Sequence, residues 1–176
     1  MKYFIAYLIK GDAKKYHKGL MNGLFKEFRI DNLSRRIPPH LTLKVPFEFS
    51  KISEVEKLIR DFCKKNKKTK IKLKGFGNFN KKVIYLNTFP SVETLNLIDD
   101  FLLKLKSIKN ISWSRNEMES LHLHSTIAMG NIGVKFDKIW KHLSERFPDY
   151  DLEFDNISIL KKIGGKWEVH KEFCLG

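Results

Sequence analysis

The sequence has no long apolar run. Nowhere does it approach the ~20 consecutive hydrophobic positions of a membrane helix, so spanning a membrane is excluded and a soluble globular protein is expected, at 42% hydrophobic and 31% charged residues. Cysteine is scarce: Cys63 and Cys174 are too few for a disulfide framework and match no metal-ligand spacing, which suits ordinary thiols in a reducing cytoplasm. There is no Gly-x-Ser-x-Gly elbow, and Gly75-Phe76-Gly77 closes a strand pattern instead of opening a phosphate-binding loop, so nucleophilic-hydrolase and dinucleotide readings fall away. Low-complexity linkers are missing too, so the 176 residues read as one compact domain. Lys2 followed by Tyr3 to Ile9 faintly resembles a leader, but Lys10-Gly11-Asp12 stands where small cleavage-site residues belong, and the segment reads as a first strand.

Acidic residues are also short. Twenty Asp and Glu face 34 Lys and Arg, giving a net charge of +14. A surplus of that size favours polyanions, because each phosphate neutralised releases counterions. RNA or a phosphorylated small molecule is the expected partner, although Lys64-Lys65-Asn66-Lys67-Lys68 reads as a solvated helix end.

Against these absences stands one repeated pattern. His40-Leu41-Thr42-Leu43 is answered 84 residues later (124 minus 40) by His124-Ser125-Thr126-Ile127. Along a strand, residues i and i+2 share a face, so each copy aims an imidazole and a hydroxyl at one place. One such match is weak. Two at equivalent places in a doubled pattern are much stronger.

The doubling is legible in the periodicity. The first unit has a strand at Tyr3 to Ile9 and a helix at Ala13 to Phe28 with Tyr16, Leu20, Leu24 and Phe28 on one side. After the break at Pro38-Pro39 come a strand from His40 to Phe49, a helix capped by Ser50 or Ser53, and a strand from Thr69 to Phe76. The second unit has a strand at Val83 to Phe89 and a helix at Ser91 to Leu105 carrying Val92, Leu95, Ile98, Leu102 and Leu105. A strand from Leu121 to Met129, a helix from Phe136 to Phe147 and a strand from Asp151 to Leu160 follow, and a glycine turn leads to a closing strand from Trp167 to Leu175. The expected fold is α+β: a bilobal, pseudo-two-fold duplication of antiparallel-rich sheets with flanking helices and a central cleft that carries both motif strands. The repeat runs approximately 1–80 and 81–176, with Asn78 to Lys82 as the boundary.

Two imidazoles with pKa values near 6.5 suit acid-base work on a phosphodiester, one neutral and one protonated. The catalytic candidates are His40, Thr42, His124 and Thr126, the threonines giving hydrogen bonds to non-bridging phosphate oxygens. No metal and no cofactor is required. His122 and His124 form a His-x-His pair, but no third ligand has a recognisable spacing, and His122 is expected to line the cleft edge or face solvent. Arg35, Arg36, Lys44 and Arg115 neighbour the motif strands and are candidates to hold phosphate; Phe4, Tyr7 and Trp167 are candidates to stack a base, with core packing the competing fate. His17, His142 and His170 read as surface residues.

Pro38-Pro39-His40-Leu41-Thr42-Leu43-Lys44, His124-Ser125-Thr126-Ile127, their separation and the duplicated order resemble the two-histidine (2H) phosphoesterase superfamily, in particular its bacterial branch similar to 2'-5' RNA ligases. The resemblance spans nearly the whole chain. It implies a bilobal fold with a basic cleft and metal-independent hydrolysis of cyclic nucleotide phosphodiesters such as 2',3'-cyclic phosphates, with reversible 2'-5' RNA joining in some members. RNA or a small cyclic nucleotide is the implied substrate of a cytoplasmic monomer. Many relatives continue the first motif into an aromatic-leucine-glycine turn, where this chain has Val45-Pro46-Phe47-Glu48-Phe49. The alternative is a non-catalytic RNA-binding module of the same fold; a phosphate-processing enzyme unrelated to RNA is a weaker third reading.

Overall fold

The computed structural model describes residues 1–114, 117 and 122–176. The described elements are β1 (Lys2–Leu8), α1 (Gly11–Phe28), β2 (His40–Glu48), α2 (Ile52–Lys65), β3 (Thr69–Phe79), β4 (Val83–Pro90), α3 (Val92–Lys106), β5 (His124–Met129), α4 (Phe136–Ser144), β6 (Asp149–Phe154), β7 (Asn156–Ile163) and β8 (Lys166–Cys174). The twofold order of strand, helix, motif strand, helix and strand is therefore present, with a hairpin added. All strand pairs are antiparallel, in two sheets of order β2-β1-β7-β8 and β5-β4-β3-β6.

The sheets do not follow the two halves of the chain. β3 belongs to the first half of the pattern yet pairs with β4 and β6, whereas β7 and β8 complete the first sheet. Asn78 to Lys82, where the two copies of the pattern divide, turns the chain between two strands of one sheet: Asn80 and Lys81 take left-handed φ of 48° and 57°, and Lys82 N–H donates to the Phe79 carbonyl. The single strand expected from Asp151 to Leu160 is two strands that change sheet at Asp155. Asn156 makes the crossing. Its amide is fully buried and bonds both the N–H and the carbonyl of Leu8, which stitches the start of β7 to the end of β1.

Helix faces were partly legible from apolar spacing. On α1 the buried stripe is Ala13, His17, Leu20, Met21 and Leu24, so a histidine sits where Tyr16 was expected. On α3, Val92 and Leu95 face solvent and Thr94 is buried, with its hydroxyl on the Lys70 carbonyl at 2.7 Å. α3 is capped by Ser91, whose hydroxyl accepts from Thr94 N–H. Neither Ser50 nor Ser53 caps α2, which starts from Lys51 without a side-chain cap. α4 ends at Ser144 and leaves Phe147 exposed. The main core packs β1's Tyr3, Ile5 and Tyr7, with Ile9 just beyond the strand, against the helices, and a smaller cluster of Phe4, Ala6, Leu8 and Leu160 lies on the opposite face of β1.

Candidate active site

Register decides what shares a face with each motif. In the first sheet His40 lies opposite Leu8 and Thr42 opposite Ala6; in the second His124 lies opposite Asn87 and Thr126 opposite Tyr85. The intervening Leu41, Ser125 and Ile127 point to the other side and are buried. Both motif strands are sheet edges. They are tied directly, because the Ser125 hydroxyl donates to the His40 carbonyl at 2.9 Å.

The two imidazoles are anchored alike. His40 Nδ1 lies 2.8 Å from the Pro38 carbonyl and His124 Nδ1 lies 2.7 Å from the His122 carbonyl. A carbonyl only accepts, so Nδ1 carries the proton in both rings and Nε2 is the basic nitrogen. Thr42 Oγ1, 3.2 Å from His40 Nε2, donates to it. An aromatic ring meets each imidazole edge-on, Phe4 against His40 at 5.1 Å and Phe79 against His124 at 4.9 Å.

A third histidine supports the pair from behind. His17 is 1% exposed, and its Nε2 lies 2.7 Å from Ser125 Oγ. Since that hydroxyl gives its proton to the His40 carbonyl, His17 Nε2–H is the donor to Ser125. The Nδ1 left bare by this tautomer has no hydrogen-bond partner among the described residues. His17 is thus a buried link between α1 and both motif strands, not the surface residue expected.

Burial lowers all three histidines, since it penalises the charged form. His40 is pushed down to about 4, with the charge of His124 adding to burial and the Pro38 contact opposing it. His17 is pushed down to about 3 by burial and then by His40. His124 is lowered by burial, with His122 adding and its carbonyl contact opposing. In the free protein at neutral pH these rings are neutral.

The other expected residues divide. Lys44 is 1% exposed, and its ammonium pairs with Glu117 at 2.8 Å and sits 4.7 Å over the Trp113 ring. It is a buried structural cation and is not free for phosphate. Tyr7 points into the core, stacks on Phe154 and donates to the Glu153 carbonyl, while Phe4 is buried beneath His40. Neither is free to stack a base. Trp167 is half-buried, edge-on to Phe4 at 4.8 Å, and its backbone N–H donates to the Arg36 carbonyl at 2.7 Å. Arg36 is exposed, 3.6 Å from Asp31. Arg115 lies outside the described residues. His142 and His170 lie at the surface beside Glu27 and Glu56.

Tyr85, Phe79 and His122 were not named as a group from sequence, yet their rings crowd His124, with Tyr85 at 5.1 Å and His122 at 5.8 Å. Gly77 makes this possible. A Cβ there would lie 2.5 Å from the Tyr85 ring and 2.5 Å from Asn87 Oδ1, so only glycine lets both lie flat across β3. Among the described residues, no group of three or more His, Cys, Asp or Glu side chains is arranged to hold a metal ion. No helix among them is long and apolar enough to cross a membrane.

Similar proteins share this architecture. A Thermus thermophilus protein, TT0787, superposes with a TM-score of 0.64 at 14% identity, over 99% of this chain and 98% of its own. E. coli LigT complexed with 3'-AMP does so with a TM-score of 0.57 at 14% identity, over 99% and 97%. In sequence, a provisionally named phosphoesterase of Bacillus licheniformis is 28% identical over 153 residues, 84% of this chain and 86% of the relative. The fold and the doubled motif define a bilobal, LigT-like protein. Residues 21–166 match the model of the 2'-5' RNA ligase superfamily, and the chain belongs to that family. It is a phosphoesterase of the 2H type.

Proposed function

We propose that the protein is a metal-independent phosphodiesterase that opens 2',3'-cyclic phosphates on RNA ends or nucleotides. The observation that carries this reading is the matched anchoring of His40 and His124, each Nδ1–H on the carbonyl two residues upstream. Both rings thereby offer Nε2 to whatever lies between the motif strands. His40, held down to about 4, is the base. Its Nε2 takes a proton from water as the water oxygen bonds to phosphorus. The bond from phosphorus to one ribose oxygen breaks, and that oxygen takes a proton from Nε2 of His124. His124 acquires that proton when the phosphate arrives, because the anion favours the imidazolium. Thr42 turns its hydroxyl from His40 Nε2 to a non-bridging oxygen as the phosphate enters, which frees that nitrogen, and Thr126 donates likewise, where charge builds as phosphorus becomes five-coordinate. With a ribose hydroxyl in place of water the same groups support 2'-5' joining. The nucleotide held by LigT supports a nucleotide substrate. The free thiols Cys63 and Cys174 suit a reducing cytoplasm.

The test is turnover of 2',3'-cyclic nucleotides and of oligonucleotides ending in a cyclic phosphate. His40→Ala and His124→Ala each lower kcat by about 10²- to 10⁴-fold while the circular dichroism spectrum is retained. Chelators leave the wild-type rate unchanged. Near-normal turnover in either variant overturns the reading, and salt-dependent RNA binding without turnover identifies the non-catalytic module instead.

A further inference from the structure

Immediately before His40, a second concavity opens between α1, the short turn at Leu33–Arg35 and the β7–β8 hairpin. Its volume is about 270 Å³, and its lining includes Lys14, Lys18, Arg35, Arg36, Lys166 and Trp167. Five of these six are cations. One lining residue, Glu168, is acidic. The cations are also little used by the fold. Arg35 rests against the Phe25 ring, Arg36 reaches Asp31 only at 3.6 Å between exposed side chains, and among the described ion pairs none takes Lys14, Lys18 or Lys166. Lys14 and Lys18 lie one helical turn apart, so both ammonium groups reach the same opening.

The walls are preformed. Trp167 backbone N–H is bonded to the Arg36 carbonyl at 2.7 Å, and Ser34 is fixed by hydrogen bonds to Asn22 and Asn32. The pocket is joined to the candidate active site in two ways. Pro38 and Pro39 line it and lead into His40, and the Pro38 carbonyl is the anchor of the His40 ring. Trp167 also packs on Phe4, which packs on His40, at centroid distances of 4.8 Å and 5.1 Å. A volume of about 270 Å³ falls below the range that encloses a separate drug-sized ligand. It suits one phosphate of a chain that continues elsewhere.

We propose that this pocket is a second phosphate site, holding the backbone of an RNA strand whose terminal cyclic phosphate lies between His40 and His124. The proposal rests on the phosphodiesterase reading and narrows it: the substrate is a strand end, not a free cyclic mononucleotide. Lys14, Lys18 and Lys166 act as point charges, and Arg35 and Arg36 offer forked donors to phosphate oxygens. A mononucleotide reaches only the catalytic groups.

The experiment compares 2',3'-cyclic AMP with a tetranucleotide ending in a 2',3'-cyclic phosphate, using wild type, Lys14→Glu/Lys18→Glu and Lys166→Glu over a range of salt. For the wild type, kcat/KM on the tetranucleotide exceeds that on the mononucleotide by about tenfold or more at low salt and falls more steeply as salt rises, as lost counterion release requires. The charge reversals raise KM for the tetranucleotide by about tenfold or more and flatten its salt dependence. Turnover of cyclic AMP, which has no second phosphate to place, is retained. Equal losses on both substrates, or an unchanged tetranucleotide KM, overturn the second site. If wild type turns over neither substrate, the phosphodiesterase reading has failed, and fluorescence anisotropy with a 3'-phosphorylated tetranucleotide then tests the pocket alone. Binding weakened by the reversals supports it; unchanged binding overturns it.

Discussion

Ser125 occupies the variable position of the second motif, yet the geometry gives it more partners than either threonine. Its hydroxyl donates to the His40 carbonyl and accepts from His17, so one oxygen joins α1, β2 and β5. Ser125→Ala leaves a buried imidazole N–H without an acceptor, which costs about 1–3 kcal/mol. It also frees the edge of β2 that carries His40. The expected result is a lower urea midpoint together with a kcat reduced about tenfold at little-changed KM, since displacing a positioned base weakens the transition state more than binding. Ser125→Thr, which keeps the hydroxyl, restores kcat. Loss of stability alone with kcat intact would confine Ser125 to the core. The pH profile is a second expectation at this scale. His40 is held at about 4 and His124 is also lowered, so kcat/KM passes through a bell whose maximum lies below pH 6.5. The acid limb is protonation of the base, and the alkaline limb is loss of the proton from the acid. A maximum above pH 8 contradicts the assignment. His17 escaped the sequence because its stripe was traced through apolar residues only, and a buried neutral histidine carries no local mark. The four His and Thr positions were legible because a period-two pattern fixes facing without any knowledge of the fold.

At the scale of elements, the carboxylate of Glu117 is fastened to β2. Glu117 accepts from Lys44 Nζ at 2.8 Å, from Val45 N–H at 3.0 Å, and from the Ser114 N–H and hydroxyl at 2.8 and 2.9 Å. Burial pushes its carboxyl up, but the donors from Lys44 and Ser114 outweigh burial and leave it below the usual carboxylate range. The two partners are therefore unequal. Lys44→Met removes one donor and leaves Glu117 with three. Glu117→Leu strands a fully buried ammonium together with the Val45 and Ser114 N–H groups, and costs at least the about 3–5 kcal/mol expected for breaking a buried pair. Lys44→Met costs clearly less. Urea denaturation of both variants checks the order, and equal losses would mean that the ion pair outweighs the hydrogen bonds. No reading of the sequence reaches this pair: period two assigns Lys44 to the motif face, but the register shift between Ile5 and Ala6 turns it to the core face opposite Ile5, and its partner is 73 residues away. The helices and strands themselves were legible, because periods of 3.6 and 2 are local. Their destinations were not, since β7 joins β1 across most of the chain and β6 parts from β7 only at Asp155.

For the whole molecule, the two sheets meet along their motif strands, and two imidazoles, the buried His17 and the half-buried His40, stand at that seam. Each is neutral in the fold, with its pKa carried from an ordinary 6.5 to about 3 and about 4 respectively. The sign of the linkage follows. Between pH 6.5 and those values the unfolded chain binds protons that the folded chain refuses, so stability falls as pH falls, by up to about 1.4 kcal/mol per pH unit for each group. Above pH 6.5 neither state binds the proton and the dependence vanishes. A net charge of +14 adds self-repulsion that grows as carboxylates protonate. The protein therefore loses stability steeply from pH 6.5 toward pH 4, with the seam between the sheets opening first because its ties converge on His17, Ser125 and His40. His17→Gln carries no titrating proton and keeps a donor for Ser125, so it isolates one contribution. Urea unfolding at pH 7, 6, 5 and 4.5 gives a slope for the variant shallower than wild type by about 1.4 kcal/mol per pH unit, and the two curves approach each other as pH falls. An unchanged slope would place the acid sensitivity in the carboxylates. A loss that is constant at every pH would make His17 a packing residue whose proton plays no part.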